Sequence, residues 1–326
     1  MKFVADLHLH SKYSRAVSQE MILPKMASWA KLKGINVLAT GDFTHPFWFD
    51  KLKNELEEAG NGLYRLKSIS DKSQVISDKL NSAKDVLFLL SCEISSIYGQ
   101  GGKTRRIHNL FFFPSLDSVE KFNKELLKRG ANLRADGRPI VGIPSRNLAE
   151  IALSCDEKVL VIPAHAWTPW FSIFGSFSGF DSIAECFGDM SRYVYGIETG
   201  LSSDPSMNWR IDDLDNRSIL SFSDAHSLEK MGREATVFEA DEVSYESIYE
   251  AIKGTKSTKS KIVFTIEFYP EEGKYHFTGH RDCNFSQSPE ETAKNGNVCS
   301  VCHRQLTIGV MHRVEQLQVR SSKFEI

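Results

Sequence analysis

The hydrophobic positions of this chain fall into short runs, and most of the runs are closed by imidazoles or carboxylates. Phe3-Val4-Ala5-Asp6-Leu7 is followed by His8 and His10, and Val37-Leu38-Ala39-Thr40 by Asp42 and His45. Val86-Leu87-Phe88-Leu89-Leu90 leads to Glu93, while His108 opens a run that continues Leu110-Phe111-Phe112-Phe113. Val159-Leu160-Val161-Ile162 ends near His165, Val194-Tyr195-Gly196-Ile197 at Glu198, and Ile219-Leu220-Ser221-Phe222 just before Asp224 and His226. Runs of this length read as buried parallel strands. Between them lie stretches with helical spacing, from Ile22 to Leu32 with Gly34 past its end, then over 115–129, 145–155, 181–187, 205–214 and 245–253. Alternating strands and helices imply an α/β fold with helices outside a parallel sheet. Seven or so strand runs before residue 240 fit a barrel, whose strands gather their C-terminal ends into one mouth.

Two segments break the rhythm. Residues 51–85 are polar and are expected to form a helical insertion on the rim. Gly99-Gln100-Gly101-Gly102-Lys103-Thr104-Arg105-Arg106 is expected to be a flexible basic loop leading to His108. Its glycine spacing is not that of a nucleotide-binding P-loop, but Lys103, Arg105 and Arg106 are candidates for phosphodiester contact. The small, basic stretch 254–261 reads as a linker, dividing a barrel domain over 1–260 from a second unit over 261–326.

Composition narrows the function classes. A chain of 326 residues holds one large α/β domain and a small appendage, and 41% hydrophobic with 25% charged residues is ordinary for a globular protein. A net charge of −2 gives no general attraction to polyanions, so a nucleic-acid partner would be held by local patches and bound metal. No apolar run reaches the ~18 residues of a membrane span, and the N-terminus enters a strand without a secretory leader. The expected location is therefore the cytoplasm, with no membrane partner. Thiols stay reduced there, so the six cysteines read as buried thiols or metal ligands.

The candidate chemistry is metal-dependent hydrolysis. In His8-Leu9-His10 both imidazoles face one side of a strand, and Asp224-Ala225-His226 repeats the arrangement. Neutral imidazoles mixed with carboxylates suit zinc or manganese, and carboxylates can bridge two cations. Cations about 3.5–4 Å apart activate a water and stabilise the attacking and leaving oxygens at phosphorus. Glu93 is the natural bridge, Asp6 an expected orienter of His8, and Arg15 a candidate to grip phosphate. Trp167, Trp170, Phe171, Phe174 and Phe177, which follow His165, suit stacking on a base or wedging a duplex, or else packing over the barrel mouth. Near the end of the chain, His280-Arg281-Asp282-Cys283 and Cys299-Ser300-Val301-Cys302 have the spacing of a closed tetrahedral zinc site, with His276 and His303 competing with His280 for the fourth place.

The ordered motifs Asp6-Leu7-His8-Leu9-His10-Ser11, Gly41-Asp42-Phe43-Thr44-His45, Ser91-Cys92-Glu93, Pro163-Ala164-His165 and Ser223-Asp224-Ala225-His226 resemble the polymerase-and-histidinol-phosphatase (PHP) superfamily over about residues 1–260. The resemblance implies a distorted seven-stranded β/α barrel with two or three divalent cations (zinc, manganese or magnesium) that hydrolyses phosphoesters. It places His8, His10, Glu93 and Asp224 on one metal and Glu93, His108 and His165 on a second, with Asp42 or His45 and His226 on a third. Asp224, Glu93 and His10 would be central to catalysis. The chain departs from the pattern where other members carry a further His, having Tyr13, Ser14 and Arg15 there.

With the zinc spacing, the stretch from Asp6 to Arg15, the aromatic segment 165–176 and the stretch 306–315, nearly the whole chain resembles the endonuclease Q family. That resemblance implies nicking of DNA on the 5′ side of uracil, hypoxanthine, xanthine or abasic sites. It also implies one structural zinc in a module that clamps DNA with Lys294, Arg304 and Arg313 near phosphates, and it leaves room for repair or replication-clamp partners. Members of that family continue into a helical segment past the module, whereas little chain follows Leu317 here. Two rival readings stand: a small-molecule phosphatase, which has no use for the zinc module or basic segment, and a catalytically silent nucleic-acid-binding module, for which so many buried charged groups have no physical need.

Overall fold

The computed structural model describes residues 1–67, 86–254 and 259–318. Its strands are β1 (Lys2–Asp6), β2 (Val37–Ala39), β3 (Leu56–Glu58), β4 (Tyr64–Leu66), β5 (Leu87–Gln100), β6 (Lys103–Phe113), β7 (Ile140–Val141), β8 (Leu160–Pro163), β9 (Gly196–Glu198), β10 (Ser218–Leu220), β11 (Ala235–Ala240), β12 (Ser260–Ile266), β13 (Thr278–His280) and β14 (Phe285–Gln287). Seven of them form a distorted barrel. β1, β2 and β5 run parallel, β6 lies antiparallel between β5 and β8, and β9 pairs parallel with β10. The Ala166 amide donates to the Glu198 carbonyl at the β8–β9 seam, and a bridge between Leu9 and Ala225 closes the ring.

Side-chain alternation along these strands makes two apolar layers. Phe3, Ala5, Leu7, Leu89, Leu110, Phe112, Leu160, Ile162, Leu220 and Phe222 share one cluster. Phe88, Leu90, Phe111, Phe113 and Val161 join a second with helix residues such as Met26, Phe122 and Leu148. The outer helices form where the spacing predicts, at Leu23–Lys33, Leu116–Lys128, Ser145–Cys155, Ile183–Phe187 and Tyr245–Lys253. Gly34 ends the first in the left-handed region (φ 73°), and Ser115, Ser182 and Ser244 cap three others by accepting from a backbone N–H.

The structure differs from the sequence reading in five places. The run after His108 is not a parallel strand but the return arm of a long β5–β6 hairpin, because only Gly101-Gly102 separates the two arms. The basic segment before His108 is therefore mostly β-structure rather than a flexible loop. Residues 51–85 are not one helical insertion: Pro46–Glu55 is a helix, and it is followed by the antiparallel pair β3–β4. The rest of that segment, 68–85, lies outside the described residues. The stretch 205–214 breaks into a four-residue helix at Pro205–Asn208 and a 3₁₀ turn at Asp212–Leu214. Finally, β12 pairs antiparallel with β11, which pairs with β1. The strand expected to open the second unit thus extends the first.

Beyond β12 the β13–β14 hairpin and the helices Pro289–Asn295 and Val310–Leu317 form the C-terminal unit. Its last helix docks on the barrel. Val310 and Val314 join the outer apolar cluster, and the Arg313 guanidinium donates to the carbonyls of Phe174 and Phe180 and pairs with Asp181. Arg313 is consequently a strap between the two units, not a free phosphate contact.

Candidate metal centre and nucleic-acid surface

Glu93 lies at the centre of the barrel mouth because β5 and β6 each aim one row of alternating side chains there. Leu89, Ser91 and Glu93 form one row, and Phe112, Leu110 and His108 the other. Glu93 Oε1 is 2.8 Å from His108 Nδ1 and 3.1 Å from His165 Nε2. Glu93 Oε2 is 3.7 Å from His8 Nε2 and 3.4 Å from His10 Nε2. Asp224 Oδ1 approaches the same two rings, 3.6 Å from His8 Nε2 and 3.2 Å from His10 Nε2, and is 3.5 Å from His226 Nδ1. Among the described residues, His8–His10–Glu93, His10–Asp224–His226 and Glu93–His108–His165 are the barrel groups whose donor atoms converge closely enough for a metal.

Backbone strain helps to deliver these side chains. Asp42, His165 and Asp224 have φ values of 50°, 31° and 46°, a region that non-glycine residues seldom occupy and that clusters at functional sites. Gly41 precedes Asp42 at φ 62°, where a Cβ would lie 2.3 Å from the Leu9 carbonyl oxygen. Only glycine lets the end of β2 press against the loop that carries His10.

Three of the metal-facing rings are fixed from behind. His8 Nδ1 lies 2.8 and 3.0 Å from the two oxygens of Glu198, which also accept the His165 backbone N–H at 2.7 Å. His10 Nδ1 lies 3.1 Å from Asp42 Oδ1. A carboxylate can only accept, so both rings donate through Nδ1 and turn Nε2 into the mouth. The Thr168 hydroxyl donates to the Trp170 carbonyl (2.9 Å) and so accepts from His165 Nδ1 (3.2 Å), which frees His165 Nε2 in the same way.

Two residues expected on a third metal do something else. Asp42 spends Oδ1 on His10, while its Oδ2 accepts from the Ser11 amide and from the hydroxyls of Ser11 and Ser14. His45 stacks on Tyr13, with ring centres 4.5 Å apart, and joins none of the convergent groups. Asp6 does not touch the His8 ring as expected; its carboxylate accepts from Ser223 and from the Gly232 amide, anchoring the loop that carries Asp224.

The electrostatics favour bound cations. Burial opposes charge on His8 and His10, yet the surrounding carboxylates hold both rings well above the ordinary imidazole range. Burial also opposes ionisation of Glu93 and Asp224, but neighbouring imidazoles, and for Glu93 the Arg138 guanidinium as well, keep both carboxyls ionised well below their usual range. Burial lowers His108 to about 4, leaving a neutral ring. His8 Nε2, His10 Nε2 and Asp224 Oδ1 are buried without a hydrogen-bond partner. Buried polar atoms are normally paired, and divalent cations that displace the ring protons would satisfy these convergent atoms.

The aromatic segment divides by burial. Trp167 and Phe174 pack against each other in the core (4.7 Å between centres), and Trp167 Nε1 donates to Asn208, so Trp167 is a structural residue rather than a base-stacking one. Phe171 leans on the His108 ring at 4.8 Å. Trp170 and Phe177 stack nearly parallel, 3° apart in plane and 4.8 Å between centres, and Phe177 is exposed. Of the basic candidates, Arg105 is buried over the Phe180 ring and bonded to the Gly179 carbonyl and Glu185, which removes it from the surface. Lys103, Arg106 and Arg15 are exposed, as are Lys294 and Arg304. In the C-terminal unit His280, Cys283, Cys299 and Cys302 converge, with His280 Nδ1 3.3 Å from Cys302 Sγ. Neither His276 nor His303 joins them. Sequence reasoning placed Glu198 at a strand end without giving it a role. It missed Arg138 altogether, since the loop carrying it has no motif or periodicity.

A family model described as PHP-associated matches residues 220–256, which include Asp224 and His226. The lesion-specific endonuclease Q of Pyrococcus furiosus superposes with a TM-score of 0.82 at 32% identity, over 99% of this chain and 73% of that one. An endonuclease Q complex with a 27-mer duplex carrying an abasic lesion at its active site matches at the same TM-score and identity, over 98% and 73%. The uncharacterized Bacillus subtilis protein YqxK is 30% identical over 98% of this chain and 79% of its own length. An uncharacterized protein of Methanocaldococcus jannaschii is 35% identical over half of this chain, which spans only 16% of that relative. Among the described residues no helix is long and apolar enough to cross a membrane. By its identity to endonuclease Q along nearly its entire length, and by the imidazole–carboxylate cluster in its barrel, the chain belongs to the endonuclease Q family of PHP-type enzymes.

Proposed function

We propose that this protein is a metal-dependent DNA endonuclease that hydrolyses the phosphodiester on the 5′ side of deaminated bases or abasic sites. The observation that carries the proposal is the convergence of His8, His10 and Asp224 atoms, buried and unpartnered, around the shared carboxylate of Glu93. Divalent cations held there would supply an activated water and charge stabilisation at phosphorus. His8, His10, Glu93 and Asp224 would hold one cation, and Glu93, His108 and His165 a second. His226, close to Asp224 and His10, is the residue for a third. Glu198 and Asp42 keep the His8 and His10 rings in the tautomer that presents a lone pair.

The rest of the surface fits a damaged duplex. Extruding a base costs least where pairing is already lost, and the stack of half-buried Trp170 on exposed Phe177 offers a face for it or a wedge for its gap. Lys103, Arg106 and Arg15 supply local positive charge on a molecule with no overall attraction to polyanions. One zinc on His280, Cys283, Cys299 and Cys302 would staple a unit too small to be held by its own core. The test is incubation of manganese- and zinc-loaded protein with labelled duplexes containing uracil, hypoxanthine or an abasic site. A nick 5′ to the lesion is expected; turnover confined to small phosphate monoesters would overturn the proposal in favour of a phosphatase.

A further inference from the structure

Arg138 reaches the metal cluster from a loop that no sequence motif marks. Its Nη1 lies 3.1 Å from Glu93 Oε2, the oxygen that also faces His8 and His10. The side chain is 26% exposed, so the guanidinium is largely desolvated but opens onto the mouth.

The loop is built to hold it there. The Gly137 amide donates to the Tyr13 carbonyl (3.0 Å), and its own carbonyl accepts from the Thr44 hydroxyl (3.2 Å). Asp136 Oδ1 accepts from the backbone N–H of both Arg15 and Arg138. Immediately afterwards the Pro139 carbonyl accepts from the Ser95 amide, and β7 joins β5 beside Ser95 and Ser96. A Cβ on Gly137 would lie 2.4 Å from Asp42 Oδ2 and from Ser14 Oγ. Only glycine allows the loop to lie flat on the carboxylate that orients His10, and this contact brings the next side chain to Glu93.

Charge balance then asks what Arg138 is for. A guanidinium does not lose its proton in a protein. Glu93 is the carboxylate central to both halves of the cluster, and its oxygens face four imidazoles. Cations held by Glu93 would compete with Arg138 for the same Oε2, leaving the guanidinium to find another acceptor at the mouth. A desolvated cation left without a partner is costly, and the anion that suits its planar fork is a phosphate. A phosphodiester carries one negative charge and two non-bridging oxygens that such a fork can grip.

We propose that Arg138 is a catalytic residue that grips a non-bridging oxygen of the scissile phosphate. The assignment rests on the phosphodiesterase reading above. Its fork holds the phosphate against the cluster and opposes the charge that develops on phosphorus-bound oxygen during attack.

The test compares wild type, Arg138→Ala and Arg138→Lys as metal-loaded full-length protein. Three quantities are measured: cleavage of an abasic-site duplex, calorimetric affinity for inorganic phosphate, and metal content with thermal midpoint. Arg138→Ala should lower kcat/KM about 10²–10³-fold, the usual cost of one preorganised oxyanion donor. It should weaken phosphate roughly tenfold or more, with metal content and midpoint unchanged. Arg138→Lys should fall between, having the charge without the fork. Wild-type kcat/KM in Arg138→Ala overturns the proposal. So does metal loss that tracks the loss of activity, since Arg138 would then be a counter-ion that shapes Glu93. If the wild type cuts no DNA, the endonuclease reading fails by itself; phosphate affinity then decides for Arg138, and equal values for wild type and Arg138→Ala overturn the proposal.

Discussion

Glu198 grips His8 through both carboxylate oxygens, at 2.8 and 3.0 Å from Nδ1, and one of the same oxygens takes the backbone N–H of His165. A single buried carboxylate thus sets the direction of one candidate ligand and the backbone position of another, which belong to different halves of the cluster. Glu198→Ala is expected to weaken metal binding or lower cleavage by about 10–100-fold, the usual cost of removing a partner behind a metal ligand. Titration of metal-free protein with manganese, followed by calorimetry, checks this. Affinity equal to wild type would remove Glu198 from the site.

Asp224→Asn should abolish cleavage while the fold survives, since Asp224 Oδ1 has no hydrogen-bond partner to lose. The sharper readout is thermal. Cations that bind only the folded chain raise its midpoint by an amount that grows with the logarithm of their affinity, and this rise should largely vanish in the variant. Full activity in Asp224→Asn would refute its assigned role.

Trp167 and Trp170 lie three residues apart but should respond to alanine in opposite ways. Trp167 is 1% exposed, so Trp167→Ala should cost about 3–5 kcal/mol of stability, seen in denaturant unfolding. Trp170 and Phe177 form a stack at the surface. Trp170→Ala should leave stability nearly intact and weaken binding to a lesion duplex by about 1–3 kcal/mol, the worth of one base stack. A Trp170→Ala protein that binds DNA as wild type does would exclude this stack from recognition.

Replacing Cys299 and Cys302 by serine should remove one zinc per chain, measured by elemental analysis, and loosen residues 270–318 in hydrogen exchange. Metal affinity in the barrel should be unaffected. Structural zinc contributes folding energy directly, so the effect should reach the docking of Val310 and Val314 on the outer apolar layer. Loss of barrel metals together with this zinc would contradict the separation of the two sites.

A buried carboxyl that joins none of the convergent metal-binding groups gives a pH prediction. Glu234 accepts the Phe268 amide through Oε1, while its Oε2 is buried without a partner. Burial first, and then the nearby Glu267 carboxylate, push its pKa from 4.5 to about 9. Below 4.5 the folded and unfolded chains are both protonated. As pH rises the unfolded chain ionises while the fold keeps its proton, so stability is lost progressively up to about pH 9. Glu234→Gln, which keeps the shape without the acid, should match wild type near pH 4 and exceed it by up to about 3 kcal/mol at pH 7. A constant difference across that range would show that the carboxyl titrates normally.

The hydrophobic runs carried most of the fold because burial on both faces of a strand needs unbroken apolar sequence, and nearly every such run became a barrel strand. The candidate ligands at or near the run ends were legible for the same reason. Strand direction was less so. His108 stands before its apolar run rather than after it, and only the antiparallel return of β6 brings it to the mouth. The basic segment 103–106 was misread because composition does not distinguish a hairpin arm from a loop. Arg105 then proves to be buried, its guanidinium covered by Phe180.

By itself the sequence determined the alternation of strands and helices, the positions of the imidazoles and carboxylates around the strand ends, and the cysteine–histidine spacing of the C-terminal unit. These follow from local periodicity and short-range spacing, which one-dimensional order preserves. Tertiary structure alone decided which acids face the cluster and which stand behind it: Asp42 behind His10, Glu198 behind His8, Asp6 under the Asp224 loop, and Arg138 beside Glu93. Those roles depend on where a side chain's hydrogen-bond partners lie in space, and the partners are separated by 32 to 226 residues along the chain.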